Sequence, residues 1–318
     1  MVGAESLSVG FYLRTDAITI MLLRLSFLVF FLSSLLFASA VNPQSPQRKV
    51  TLAVLDFGES RVGKVASDTL WASLKSAAQV NVIDREETRA AMKGIGYAGS
   101  LNLSRQEARS LGEAIGSDFY LIGDAQTLRR SSSTRPVYFE SYASIFLVSS
   151  RTGRLITWQR PSFQASSAED SEKQLIAELA NDQNRTRNIA AILKTLEDER
   201  LLRELAIDGK TPVIEVAPDD ERLAELEGLR LPRPYRRLRP AYPETAARAE
   251  VEATVDVLAD LDANGEVSNV EVARWAGFGL DEATVETVRQ LHFFPATRNG
   301  TATPIRVLLR YTFRKPPK

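Results

Sequence analysis

The chain of 318 residues has no cysteine, which excludes disulfides, thiolate metal sites, cysteine nucleophiles and lipidation at an amino-terminal cysteine. Histidine is nearly as scarce. His292 is the only one, so a histidine-cluster metal site is ruled out and proton-shuttling chemistry would have to run largely on carboxylates. Net charge is also absent: 40 basic and 40 acidic residues cancel, leaving no whole-chain attraction to nucleic acid or to an anionic membrane. There is no Gly-x-Ser-x-Gly elbow to seat a serine nucleophile. Apolar residues at 44% and charged residues at 25% are those of an ordinary globular protein, which argues against disorder and against an all-membrane fold. The length suffices for two modest domains, each with its own core.

What is present begins with a targeting segment. Leu25 to Ala40 reads LSFLVFFLSSLLFASA, with Arg24 before it and Ala38-Ser39-Ala40 at its end. A basic flank, an apolar stretch and a small-x-small ending are the parts of a secretory signal. Met21 is a natural start for such a signal, so residues 1–20 read as an over-long beginning. The alternative is an uncleaved anchor, because Ala17–Ala40 nearly spans a bilayer if Arg24 snorkels. Both readings place everything after Val41 outside the cytoplasm, in the periplasm or cell envelope.

Residues 48–165 alternate strand and helix signals. Thr51–Phe57, Val80–Ile83 and Phe119–Gly123 are short apolar runs fit for buried strands. Val62–Ala77, Arg85–Lys93 and Ser104–Ile115 have helical spacing, the last with Ser104 and Glu107 placed as a capping box. Val137–Ser149 and Arg154–Gln164 read as a hairpin around Arg151-Thr152-Gly153. These elements predict a mixed-sheet α/β domain. The runs AVLDF, NVIDRE, LGEAIGSDFYLIGD and SRTGRLITW resemble the periplasmic domain of curli-secretion lipoproteins of the CsgG type. The chain departs from that family in having no lipidated cysteine and no pair of long alternating segments to build a pore, so the resemblance implies an envelope assembly or adaptor domain. Gly58–Lys64 fits the first seven positions of a phosphate-binding loop, but Val65 stands where the chemistry needs Ser or Thr for the magnesium ion. A turn followed by a helix start is the preferred reading.

Ser171–Ala206 carries apolar residues at threes and fours amid mixed charge, predicting one long amphipathic helix. Six of the 14 prolines then fall between Pro212 and Pro243, where an arginine-rich block follows an acidic one. Residues 166–239 thus read as a helical and proline-rich linker.

The final portion, residues 240–318, holds the most specific pattern. Val251–Leu261 alternates with the period of a half-buried strand, and Asn264-Gly265 signals a hairpin turn into Val267–Arg274. Leu280–Leu291 is an amphipathic helix, Asn299-Gly300 marks a second turn, and Thr303–Phe313 is a long last strand. Tyr242-Pro243, Gly265 in the hairpin, Leu280-Asp281 at the helix start, and Phe293-x-Pro295-Ala296 followed by Asn299-Gly300 closely resemble the TonB carboxy-terminal domain. The fold class is then α/β plus α+β: an amino-terminal mixed-sheet domain, a helical connector and a small β-β-α-β unit. The resemblance implies protein binding by an exposed edge strand that takes up an extended peptide, here through Arg306, Leu308, Arg310 and Thr312. The rival reading of that strand is purely structural, since Arg310 and Arg314 blunt the edge.

Asp260 to Glu271 satisfies the calcium-loop pattern of an EF-hand. Strands flank it where an EF-hand needs helices, which favours a chance match in an acidic hairpin. His292 follows the helix end, a favourable place for a cation. The expected function is a non-enzymatic envelope adaptor with no metal or cofactor, binding an envelope or outer-membrane protein and no nucleic acid. The alternative is an anchored TonB-type energy transducer to outer-membrane transporters. The absence of a histidine in the apolar segment and the short linker weigh against it.

Overall fold

The computed structural model describes residues 49–131, 137–207, 214–218, 221–226 and 228–315, so the signal or anchor segment lies outside the described residues. Strand β1 (Val50–Val54) lies between β2 (Val80–Val82) and β3 (Phe119–Arg130), parallel to both. Parallel neighbours need crossovers. Helix α1 (Arg61–Lys75) makes the first, and α2 (Arg85–Gly94) with α3 (Arg105–Ile115) makes the second. The Ser104–Glu107 capping box forms as its residues dictate. Strands β4 (Tyr138–Ser149) and β5 (Leu155–Gln159) continue the sheet antiparallel, giving the order β2-β1-β3-β4-β5, and β6 (Ser162–Ala165) pairs with the start of β4. Strand β3 runs seven residues past the expected Gly123, since β4 offers a partner to every residue as far as Arg130.

One face of this sheet, with Leu52, Val54, Leu121 and Leu147, packs under α1 and under helices α4 (Ala168–Ala180) and α5 (Asp182–Ile207). The long helix expected over Ser171–Ala206 is broken at Asn181. Its extended backbone ends α4, and its side chain accepts the Gln183 N–H at the start of α5.

Helix α6 (Glu221–Leu226), the two-residue strands β7 (Leu229–Arg230) and β8 (Arg233–Pro234), and helix α7 (Glu244–Arg248) follow. Strand β9 (Ala253–Leu261) is the centre of a three-stranded sheet with β10 (Val267–Arg274) on one side. Helix α8 (Leu280–Arg289) covers the inner face, and short strands β11 (Phe293–Phe294), β12 (Thr297–Arg298) and β13 (Thr301–Ala302) lead to β14 (Ile305–Phe313) on the other side of β9. Strands β7 and β8 from the proline-rich stretch pair with β12 and β11. Residues 229–234 of the expected linker therefore pair with the small sheet unit.

Residues from Lys49 onward form one compact unit. The second face of the large sheet (Ala53, Leu55, Tyr120, Ile122, Phe146, Val148) shares a continuous core with the inner face of the small one.

Candidate functional site

The frame of the small sheet is set by its turns. Gly265 alone takes positive φ in the β9–β10 turn, with the Gly265 N–H donating to Asp262 O at 3.0 Å. A Cβ there would lie 2.0 Å from the Phe293 carbonyl, so glycine is required both by conformation and by the approach of β11. Asn299 and Gly300 both have positive φ, as a two-residue type I′ hairpin loop demands. Tyr242 donates its hydroxyl to the Val251 carbonyl. Pro243 packs against Gly279. Leu280, Phe293 and Ala296 are core residues, and Pro295 is half-buried beside them. The Asp281 carboxylate accepts the N–H groups of Ala276 and Gly277 at 2.9 and 2.8 Å, at the start of α8. Burial pushes its pKa up to about 6, against the opposing pull of those two bonds.

On this frame β14 alternates cleanly. Ile305, Val307 and Phe313 are buried inward, while Leu308, Arg310 and Thr312 are exposed on the outer face. All nine residues of β14 pair with β9 in unbroken register. The Arg306 N–H donates outward to Glu215 O at 2.7 Å, and its carbonyl accepts from Ala217 N–H at 2.8 Å. Since outward-facing backbone groups recur every second residue, Leu308, Arg310 and Thr312 share that orientation. At Leu308 and Thr312 no backbone partner occurs on that side among the described residues. Of the four residues singled out in the sequence, Arg306 departs from expectation: a strap of the chain itself, Glu215–Ala217, already holds its backbone.

The side chains of the outer face are equally committed. Asp256 and Asp260, in the central strand, are only 5% and 4% exposed. Each is bound in bidentate fashion by the arginine opposite: Arg310 to Asp256 at 2.7 and 3.0 Å, and Arg306 to Asp260, one contact at 2.8 Å. The Arg306 hydrogen bonds hold the Asp260 carboxyl below the usual range. Between the two pairs Leu308 stands opposite Leu258, 42% exposed. Charge flanking an apolar spot keeps the edge soluble and leaves a seat for one apolar side chain.

Periodicity gave no sign of the segment that joins the two sheets. Trp275 and Phe278 bracket a tight turn after β10 and press on Phe146, with ring centroids 5.7 and 5.8 Å away. Gly277 has positive φ there, and a Cβ would come within 2.5 Å of the Phe146 ring. The Trp275 indole N–H donates to the Gly153 carbonyl at 3.2 Å, and Asn102 donates to the carbonyls of Thr254 and Trp275 at 2.8 and 2.7 Å. Two aromatics around a glycine, just before a helix start, were the available signal.

The remaining motifs have ordinary tasks. Ser60 caps α1, and a Cβ on Gly63 would lie 2.1 Å from the Phe57 carbonyl, so that glycine permits a close helix–strand approach. In the calcium-like pattern, Asp260 faces Arg306, Asp262 accepts the N–H groups of Asn264 and Glu266, and Glu271 pairs with Arg105. Its carboxylates point to three separate places. His292 is exposed and 2.8 Å from the Glu266 carboxylate.

This ordered strand–strand–helix–strand unit, with its turns and anchored opening tyrosine, corresponds to a known class. Residues 239–314 match the family described as Gram-negative bacterial TonB protein C-terminal, and this portion of the chain is a TonB C-terminal domain. A Protein TonB from Xanthomonas campestris pv. campestris strain B100 is 37% identical over 75 residues, covering 23% of this chain and 34% of that protein. A Protein TonB from strain ATCC 33913 of the same pathovar matches with the same figures. The chain therefore spans about a third of the length of the curated relatives it matches. Among solved structures, the TonB C-terminal domain of Pseudomonas aeruginosa covers 27% of this chain and 89% of its own, at 19% identity and a TM-score of 0.24. The LpoB C-terminal domain of Salmonella enterica covers 38% and 87%, at 15% identity and a TM-score of 0.28.

Proposed function

We propose that the chain is a non-enzymatic adaptor of the periplasm or cell envelope, and that it binds an extended segment of an envelope or outer-membrane protein by adding it to the outer edge of β14. The observation that carries this reading is the strap at Arg306. The edge already receives a stretch of extended backbone there, and Leu308, Arg310 and Thr312 repeat the same orientation further along. The strap is held by two backbone bonds and the Arg298–Glu215 ion pair, with Val216 59% exposed. Ala217 also packs against the shared core. On this reading the partner pairs with the Leu308–Thr312 end and seats an apolar residue at Leu308. Residues 48–165 act as a CsgG-like platform, and the apolar amino-terminal segment directs export.

Force transduction fits less well. A transducer needs a tether between its anchor and its receptor-binding end, whereas here the proline-rich stretch pairs with β11 and β12 and the TonB C-terminal domain is seated on the large sheet.

The test uses the cysteine-free background. Leu308→Cys and Thr312→Cys chains, carrying a photoactivatable thiol reagent, should crosslink one and the same envelope protein in whole cells. Thr312→Pro, which removes an N–H that does not pair with β9, should abolish the crosslink at Leu308 while leaving the melting temperature nearly unchanged. Equal crosslinking with and without the proline would reject the edge as the binding site.

A further inference from the structure

The side of the small sheet opposite β14 carries a groove. This groove of about 1170 Å³ runs between β5 and β10, which are the outermost strands of the large and the small sheet. Its walls include the consecutive residues 154–158 and 269–272. A strand that turned one face to a groove would contribute only alternate residues. Consecutive ones mean that the strands present their edges. Among the described residues, the outer edge of β10 meets backbone partners only at its ends, through the Ser104–Arg274 bridge and at Glu266, just before the strand, through the bridge to His292. The volume exceeds the range of about 300–1,000 Å³ usual for small-molecule pockets, and the lining suits a chain better than a compact ligand.

The side chains narrow the choice of chain. Helix α8 presents Glu282, Val285, Glu286 and Arg289 to the groove, one face of the helix by their spacing. Glu282 and Glu286 are exposed; among the described residues neither stands in an ion pair, and Glu286 accepts only the Gln290 amide N–H, at 3.0 Å, one turn further along the helix. They stand one helical turn apart, about 5–6 Å between Cβ atoms. Alternate residues of an extended strand are about 6.6–6.8 Å apart, so two basic side chains at positions i and i+2 reach both carboxylates. The facing wall carries Ile156, Trp158 and Leu202, with Leu202 56% exposed, which favours apolar side chains at the intervening positions.

We infer that the groove between β5 and β10 binds an extended segment of a partner protein in which Lys or Arg alternates with apolar residues, added as a strand to the free edge of β10 with its basic side chains on Glu282 and Glu286. This site is independent of the β14 edge and lies on the other side of the sheet.

The probe is a fluorescein-labelled peptide, Lys-Val-Lys-Val-Lys-Val-Lys, titrated into the full chain by anisotropy, with hydrogen exchange to locate it. The peptide is expected to bind, to slow exchange in β10 and β5, and to bind about tenfold more weakly to a Glu282→Gln/Glu286→Gln chain at low salt. The same peptide with Glu in place of Lys should not bind. A Thr312→Pro chain should bind the lysine peptide as the parent does. No binding by the lysine peptide, equal binding to the double glutamine variant, or exchange protection confined to β14 would each overturn the proposal. The last of these would leave the β14 reading standing, and loss of envelope crosslinking at Leu308 in the previous test leaves this one untouched.

Discussion

Truncating Trp275 to alanine tests whether the two sheets share one cooperative core. The side chain is 1% exposed, stacks on Phe146 at 5.7 Å and donates its indole N–H to Gly153 O. Removing a buried aromatic of this size costs about 3–5 kcal/mol, part of which is the hydrogen bond, worth about 1 kcal/mol. Trp275→Phe keeps the stack and loses that bond, so it should cost nearer 1–2 kcal/mol. With an m-value of about 3 kcal/mol per M, a loss of about 4 kcal/mol lowers the urea midpoint by roughly 1.3 M. The discriminating assay is native-state hydrogen exchange resolved by segment. If Phe146, Trp275 and Phe278 tie the sheets into one unit, protection in β4 and in β9 should both fall by roughly a thousandfold in Trp275→Ala. A fall in β9 alone, with β4 unmoved, would refute the shared core and leave two independently folding halves.

Other perturbations separate the remaining claims. Ala217→Pro removes the N–H that the strap gives to Arg306 O. If the partner takes only the Leu308–Thr312 end, binding should stay within about twofold of the parent, whereas a partner that also displaces the strap, whose bond is worth about 1 kcal/mol, should bind about fivefold tighter, read by titrating the crosslinked partner once it is purified. Asp281 has a folded pKa of about 6, above its ordinary 3.8. The folded state therefore holds the proton longer than the unfolded one, and that contribution to stability is full below about pH 4 and lost as pH rises through 6, at most about 3 kcal/mol. Asp281→Asn should flatten this part of the stability curve in urea melts taken from pH 4 to 7. Asp260 has the opposite sign: its pKa is lowered by Arg306, so its contribution holds at neutral pH and disappears as pH falls below the usual carboxylate range. Arg306→Ala, which leaves Asp260 buried without its partner, should cost about 3 kcal/mol at pH 7 and much less at pH 3, as thermal melts at the two values would show.

The parts of this fold that were legible in the sequence were those governed by local rules. The Ser104–Glu107 box, the Asn299-Gly300 loop and the alternation along β9 and β14 appear where residue chemistry places them. Long-range pairing was not legible. The length of β3 depends on β4, and the break at Asn181 depends on a side chain choosing a backbone N–H two residues on over helical continuity. Prolines marked residues 212–243 as a linker, yet two-residue strands there find partners in β11 and β12. Such short pairings have no period to detect. At the candidate site, the resemblance pointed to Arg306, Leu308, Arg310 and Thr312 together, but no property of Arg306 announces that Glu215 and Ala217 will reach it across some ninety residues of chain.

The unbroken register between β14 and β9 has a mechanical meaning. A partner strand that draws on β14 along its length loads the β14–β9 ladder in shear, where its hydrogen bonds must all fail together. From β9 the load passes at Thr254 into Asn102, and through β10 at Trp275 into Gly153. The small sheet is thus riveted at two points to a broader plate, and tension applied at its rim spreads into six strands.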